Sequence, residues 1–491
     1  MCKILKAYCI AILFLAPLFG ETFSIPQYFN IFINNSKAGY SSVILEKAKY
    51  NGKECIKETD YLLLDLKRLK DSIRIETTAE LYYTENLLPL GFKSVESMTG
   101  QIRKIEGKVE KNKLLVTVKM AGAIEKKEFD FPAGTLFDDM VDDVLRKTKP
   151  VLNSKSVIKI FDKSNMMFVD VKVNIKDKVK EIINGKEYSG YRVETEMYGI
   201  LVFHMIDESG VTLKSGFPRL GMTSILTSEA DAKKTFRANI DLLSDFAIIA
   251  SRPVSNPKMV KEMNCSIIFS EGLPKALNKE SIKNTSIRIL KDNMAICTLR
   301  RTEFDQTKAL MLPIKEKGLE YYLKETAYEQ AEDAGIKSTA LGIAGKETNS
   351  HRVAALIVNW VYVNIKKKNF SIGFDSAKEV LAKKEGDCTE HAVLASALCK
   401  AAGIPTKICG GLMPVENRFF YHMWLEIYTG NGNWVPMDPT YNETILDAAH
   451  IKISEGILND EGKFKLLLDI LTYLKKTEIQ VFKLEYLREG R

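Results

Sequence analysis

The chain has 491 residues, more than one ordinary domain holds, so roughly two to four domains are expected. Its make-up, 45% hydrophobic and 27% charged with 14 prolines, is that of a folded globular protein. The net charge of +8 comes from scattered mixed charges such as Glu46-Lys47-Ala48-Lys49 and short runs such as Lys366-Lys367-Lys368, with no basic stripe interleaved with aromatics. That pattern argues against nucleic-acid binding; it reads as solubility, or as a mild preference for anionic partners such as cell-wall polymers.

Taken in chain order, residues 1–24 read as a signal peptide. Lys3 and Lys6 form a positive start, residues 7–19 are uncharged and apolar, and Gly20 or Ser24 could precede the cut. A permanent membrane helix needs about 20 apolar residues, so the shortness of this run and Pro17 favour a cleaved leader over an anchor. The mature protein is expected to be exported, periplasmic or secreted, with an uncleaved N-terminal anchor as the alternative.

Residues 25–230 read as a β-rich domain. Ile73 to Tyr83, Val169 to Ile175 and Tyr191 to Met197, the last continuing through Leu201 and Phe203, alternate apolar and polar positions as half-buried strands do. Asn51-Gly52, Asn184-Gly185 and Ser209-Gly210 are turn signals. One helical insertion, Leu136 to Lys147, interrupts them. A smaller β-rich linker domain is expected over 231–317, with short strands around Ile287-Arg288-Ile289 and Met294-Ala295-Ile296.

Residues 318–491 turn helical and then strand-like, the order of an α+β domain. Helices are expected at Tyr321–Ala334, His351–Asn364, Ser376–Leu381 and Phe464–Lys475, with a closing strand at Ile479–Leu484. A further helix opens at Cys388. Asp387 is a good N-cap, Glu390 completes a capping box, and Gly403 with Pro405 ends the helix. Cys388 is therefore the first helical residue, where unpaired backbone N–H groups and the positive dipole end favour a thiolate and can also hold an oxyanion. Asp387 and Glu390 oppose part of that field, so a histidine is needed as well.

His422 lies in a strand running from Phe419 to Tyr428. Gly430-Asn431-Gly432-Asn433 turns the chain, and Trp434 to Met437 returns it toward Asp438. The hairpin brings His422 and Asp438 within about one or two rungs of each other. A thiol, an imidazole to deprotonate it and a carboxylate to orient the imidazole are the parts of a cysteine nucleophile system.

Other chemistry-bearing residues read as structural. Cys399 and Cys409 are expected in the core. Cys265 with Cys297 is the most plausible disulfide. His391 is expected on the helix surface beside the site, Glu426 as an exposed carboxylate, and His450 in a structural role. Trp424 and Trp434 are expected in the sheet core, and His204 and His351 show no evident partner. No Cys/His zinc spacing, calcium loop or phosphate-cradling glycine loop is present, so no metal or cofactor is expected.

Residues from about 318 to 455 resemble the transglutaminase-like superfamily, whose fold is related to papain-type cysteine peptidases. The resemblance rests on Ser376-Ala377-Lys378-Glu379-Val380-Leu381, Glu385-Gly386-Asp387-Cys388-Thr389-Glu390-His391-Ala392 and Ala401-Ala402-Gly403-Ile404-Pro405-Thr406. It continues in His422-Met423-Trp424-Leu425-Glu426 and Trp434-Val435-Pro436-Met437-Asp438-Pro439-Thr440. The β-rich region before it is similar to the long N-terminal part of bacterial exported members. The resemblance implies Cys388 as nucleophile, His422 as general base and acid, and Asp438 as the residue orienting the imidazole. It implies acyl transfer through a Cys388 thioester on a protein, peptide or cell-wall peptide. Hydrolysis by a peptidase or amidase is the favoured outcome. Protein cross-linking, and a non-catalytic envelope binding or assembly module built on the N-terminal β region, are the alternatives.

Overall fold

The computed structural model describes residues 26–488 apart from 69–70, 99–100, 121–122, 219–220, 237–246, 270–271, 274–284, 367–374 and 459–476. The expected leader at 1–24 and the expected helix Phe464–Lys475 lie outside the described residues. The chain divides into two compact units, Met1–Leu242 and Leu243–Arg491. Among the described residues no helix is long and apolar enough to cross a membrane.

The period-2 patterning of the first unit produces a 15-stranded sheet. Its middle is the first strand, Gln27–Ile33. On one side the chain meanders outward, strand by strand, to Ala123–Asp130; on the other it returns from Leu136–Phe137 to Met222–Thr227. Nearly every strand therefore pairs with its neighbour in sequence, through turns such as Asn51-Gly52 (φ 50° and 78°) and Asn184-Gly185 (φ 50° and 79°). Positive φ at both turn positions matches the twist of the paired strands. The pattern read from Tyr191 through Phe203 as continuous is a hairpin. Tyr198 and Gly199 both take positive φ and split it into Lys186–Met197 and Ile200–Asp207.

The expected helix at Leu136 is shorter than its apolar spacing suggested. Leu136 and Phe137 pair in parallel with Ile160 and Phe161, and the α-helix itself runs Val141–Thr148. Met140, Val141 and Leu145 pack into a core with Phe92, Phe137 and Phe161. Glu58, Asp60, Asp138, Asp139, Asp142 and Asp143 are also buried in this unit, with Arg146 and Lys163. His204, which showed no partner in the sequence, sits between the Thr195 and Ser215 hydroxyls at 2.8 and 2.9 Å.

The second unit contains two sheets and the helices. The strands expected in the 231–317 segment do not stand alone. Val260–Phe269, Thr285–Lys291 and Met294–Arg300 form a four-stranded sheet with Thr477–Tyr486, the closing strand of the chain. Cys265 and Cys297 face each other across two of these strands as free thiols, so the expected disulfide is not formed. The other sheet has the order Ile248–Ile249, Arg418–Gly430, Thr406–Val415, Ile451–Gly456, with Asn433–Met437 paired to the second of these.

The helix expected over Tyr321–Ala334 is replaced by one turn at Glu320–Leu323, a loop, and a helix over Ala334–Ala344. The cause is local. The Thr326 hydroxyl accepts from the amides of Tyr328 and Glu329, and the Asp333 carboxylate from those of Gly335 and Ile336. Such side chains offer the backbone an alternative to helix and set a new helix start. Ser350–Asn364 and Ala377–Lys383 are helical, and the helix Cys388–Ala401 packs against the Arg418–Gly430 strand.

Candidate active site

The helix bearing Cys388 starts where its capping box sets it. Asp387 Oδ1 accepts from the Thr389 amide at 2.8 Å, and Glu390 Oε2 accepts from the Asp387 amide at 3.0 Å. Glu390 Oε1 takes a second backbone amide, that of Asp375, at 3.1 Å. Burial, with the neighbouring Asp387 charge, holds Glu390 well above the ordinary carboxylate range. Glu390 therefore opposes a thiolate less than its sequence position suggests. Gly386 makes room for this: a Cβ there would lie 2.3 Å from Glu390 Cβ. Cys388 itself is half-buried, while the other described cysteines are fully buried.

The hairpin works through its Asn431-Gly432 turn, with φ of 53° and 72°. The register pairs Leu425 with Met437, which sets Asp438 one step along and diagonal to His422. His422 Nε2 meets Asp438 Oδ2 at 2.8 Å. That leaves Nδ1 as the ring nitrogen for Cys388, whose side chain is near enough to help raise the imidazole. The Thr389 hydroxyl donates to Met423 Sδ at 3.5 Å, tying the helix start to the His422 strand. Cys388, His422 and Asp438 are therefore brought together.

Asp438 is held from several sides. Its Oδ1 accepts from the Thr440 amide at 2.7 Å, and its backbone exchanges two 2.8 Å bonds with Glu443. His450 Nε2 approaches Oδ2 at 3.4 Å, and His450 Nδ1 meets Asp447 Oδ1 at 2.9 Å. Burial would raise the Asp438 carboxyl, but the charges and hydrogen bonds of His422 and His450 hold it well below the ordinary carboxylate range. Burial would likewise lower both imidazoles. Asp438, with Cys388, lifts His422 to about 9, and Asp447 with Asp438 lifts His450 to about 10. At neutral pH His422 is an imidazolium between a thiol and a carboxylate, the arrangement that stabilises a thiolate and then supplies a proton.

Aromatic rings wall the site. The Tyr441 ring lies 5.6 Å from the His422 ring, and Trp424 lies 6.2 Å from His422 and 5.2 Å from His450. Gly411 is the cross-strand partner of His422. A Cβ there would meet Ile451 O at 2.1 Å and the Trp424 ring at 2.6 Å, so glycine lets the sheet close behind the imidazole.

Several neighbours differ from their sequence readings. His450, read as structural, stands against Asp438; the signal was its place three residues after Asp447, just beyond the turn that follows Pro439. Tyr441 was not singled out. His391 is buried rather than on the surface, with Nδ1 2.6 Å from Asp387 O. Glu426 is buried rather than exposed, between Lys407 at 3.0 Å and Lys452 at 2.6 Å. Trp424 is core as expected; Trp434 is half-buried, against Tyr322 and Tyr428. Cys399 and Cys409 are buried as expected. His422, Asp438 and His450 bring one ligand atom each within 4.8 Å of one another, the one such group among the described residues that could hold a metal ion.

Residues 337–439, which include all three of Cys388, His422 and Asp438, match the transglutaminase-like superfamily. This part of the chain has a cysteine-enzyme fold. No curated protein matches. Among solved structures, the chain is similar to a candidate cysteine protease from Cytophaga hutchinsonii, at 18% identity and a TM-score of 0.30, over 46% of this chain and 85% of that one. It is also similar to a β-barrel-like protein of a domain of unknown function from Brucella abortus, at 10% identity and a TM-score of 0.32, over 41% of this chain and 95% of that one.

Proposed function

We propose that this protein is an exported cysteine enzyme that opens amide bonds of a protein, peptide or cell-wall peptide through a thioester on Cys388, with water as the usual acceptor. The observation that carries this reading is the meeting of three groups. Cys388 stands at the start of a capped helix, the His422 imidazole is near enough to feel it, and Asp438 takes the far nitrogen of the same ring at 2.8 Å.

Cys388 sulfur attacks the amide carbonyl carbon and forms the C–S bond. The backbone N–H groups at the helix start stabilise the oxygen that becomes negative. The C–N bond breaks as the His422 imidazolium gives its proton to the departing nitrogen. The now neutral imidazole takes a proton from water as the water oxygen attacks the thioester. The acid product leaves and Cys388 and the imidazolium are restored. Asp438 holds the ring in the orientation that serves both steps and stabilises its positive charge. Cys388 is only partly buried, which leaves its thioester within reach of water.

The test is mass spectrometry of cell-envelope material and of a peptide library incubated with the protein and with its Cys388→Ala variant, a labelled primary amine being present. Hydrolysis predicts new free carboxylates with the wild type alone and an acyl adduct on Cys388 in quenched samples. Incorporation of the amine would make the protein a cross-linking enzyme instead. Identical spectra with both proteins would refute a catalytic role and leave a binding or assembly function.

A further inference from the structure

Beside the Cys388 site lies a cleft of about 490 Å³. Its walls are the loop 253–258 and the strand end 413–416, joined by a 2.9 Å bond from Val254 N to Glu416 O, and its floor is the segment that follows Asp438, through Tyr441, Glu443 and Asp447. The cleft and the reacting groups share one residue between them: the Tyr441 ring that lines the cleft also lies 5.6 Å from the His422 ring.

The walls and floor differ in chemistry. Pro253, Val254, Pro257, Met413, Pro414 and Val415 make the walls apolar. Glu443 and Asp447 on the floor are more than nine-tenths buried. Asp447 Oδ1 is used by the Ala449 amide and by His450, but Asp447 Oδ2 is buried with no donor. Glu443 accepts a 3.3 Å bond from the Asp447 amide. A buried carboxylate oxygen without a donor is costly, and a donor arriving with a ligand removes that cost.

The charges facing the cleft are unbalanced. Glu416, Glu443 and Asp447 line it against the ammonium of Lys258. That ammonium is engaged at the rim, donating to the Tyr441 carbonyl at 2.5 Å and standing 5.7 Å from the centre of the Tyr441 ring. Asp447 is further offset by His450 behind it. Glu443 has no cation at salt-bridge distance among the described residues. Burial and the Asp447 charge lift it to about 7, the state of a carboxyl that lacks a close cation.

We propose that this cleft is a specificity subsite of the enzyme and takes a substrate side chain with an aliphatic stem and a primary ammonium tip. The stem packs on the proline, valine and methionine walls while the ammonium reaches Glu443 and Asp447, the usual division for a long amine side chain. A lysine of a protein and a diamino acid of a cell-wall peptide share this chemistry. The inference rests on the proposed function for its meaning, since the subsite would choose which amide is presented to Cys388.

The test separates the two. Binding is measured by calorimetry on the Cys388→Ala protein, so it does not depend on whether Cys388 forms a thioester. The probes are N-acetyl-lysine methylamide, its neutral isostere N-acetyl-norleucine methylamide, and a tripeptide containing diaminopimelate. The expected result is that at least one amine probe binds tenfold or more tightly than the norleucine compound. The tighter of the two amine probes identifies the source. Glu443→Gln should reduce that advantage to threefold or less. Val415→Lys, at a site 44% exposed and so tolerant of change, should weaken amine binding about as much by placing a like charge in the cleft. Equal binding of the amine and neutral probes, binding of neither, or an amine advantage that survives both substitutions in folded protein would overturn the subsite. The mass-spectrometric assay of the wild type reports separately on the reaction itself.

Discussion

Both units of this protein bury carboxylates, and Asp438 and Glu426 of the second unit behave oppositely to the acids of the first. In the second unit Asp438 lies between two imidazoles and Glu426 between two lysines, and both are held below the ordinary carboxylate range. In the first unit burial pushes Glu58 and Asp142 up to about 7, and Asp60 and Asp138 well above their usual value. Asp60 has no hydrogen-bond donor at either oxygen. Desolvation acts on all of them. What differs is the supply of cations: Asp438 and Glu426 each touch two, Asp138 shares the one Lys163 ammonium with Asp139, and Glu58, Asp60 and Asp142 touch none among the described residues. An ionised Asp438 can hold and charge an imidazole. A neutral Glu58, whose Oε2 accepts from the Tyr83 hydroxyl at 2.8 Å, serves packing and makes its surroundings sensitive to pH.

The sharpest way to break this contrast is Asp438→Asn. It keeps the shape and removes the charge, and turnover should fall by about 10³–10⁴-fold with the fold retained, as measured by steady-state rates beside circular dichroism. Next is His450→Gln, which deletes one partner of Asp438. Losing a charge-assisted hydrogen bond at 3.4 Å should cost about 1–1.5 kcal/mol, roughly tenfold in kcat. With Asp438 less well held, the high-pH limb of the rate profile, set by His422, should also move; a purely structural role for His450 would leave that limb in place.

Smaller again is the capping box. Glu390→Ala leaves the amides of Asp387 and Asp375 without their acceptor and should cost about 1–2 kcal/mol, seen as a melting temperature lower by roughly 2–8 °C in the unit that holds Cys388. The smallest effect concerns the first unit. A carboxyl whose folded value is raised favours the fold below its unfolded value and loses that contribution as pH rises through the folded value. For Glu58 and Asp142 the window runs from about 4 to about 7, so the first unit should melt a few degrees lower at pH 8 than at pH 5, and Glu58→Gln should flatten the trend. The three tryptophans, Trp360, Trp424 and Trp434, all lie in the second unit. Tryptophan fluorescence should therefore miss this transition while calorimetry records it. Asp438, held low, gives the opposite slope: its contribution is present above the ordinary carboxylate range and is lost in acid.

Legibility in the sequence followed the range of the interactions. Asp387 with Glu390 is a local pattern, and it predicted the helix start at Cys388. The Asn431-Gly432 turn predicted a hairpin, and the hairpin set His422 beside Asp438. The alternation in Ile73–Tyr83 predicted a strand because each position needs only to know its own face. What was missed is non-local or depends on one turn residue. His450 meets Asp438 only because the Asp438–Glu443 backbone bridge folds the following segment back. Glu426 is buried because Lys407 reaches it from the paired strand and Lys452 from the strand beyond that one. Tyr198-Gly199 is a weak turn signal, and the strand pattern ran through it. Thr326 and Asp333 diverted a helical pattern by taking backbone amides themselves.

The most direct test of the site is the rate at which iodoacetamide alkylates Cys388 at pH 7 in the wild type, in His422→Ala and in Asp438→Asn, followed by peptide mass spectrometry. If a His422 imidazolium held by Asp438 stabilises the thiolate, Cys388 should react at least tenfold faster in the wild type than in His422→Ala, with Asp438→Asn between them. Equal rates at Cys388 in all three folded proteins would contradict it.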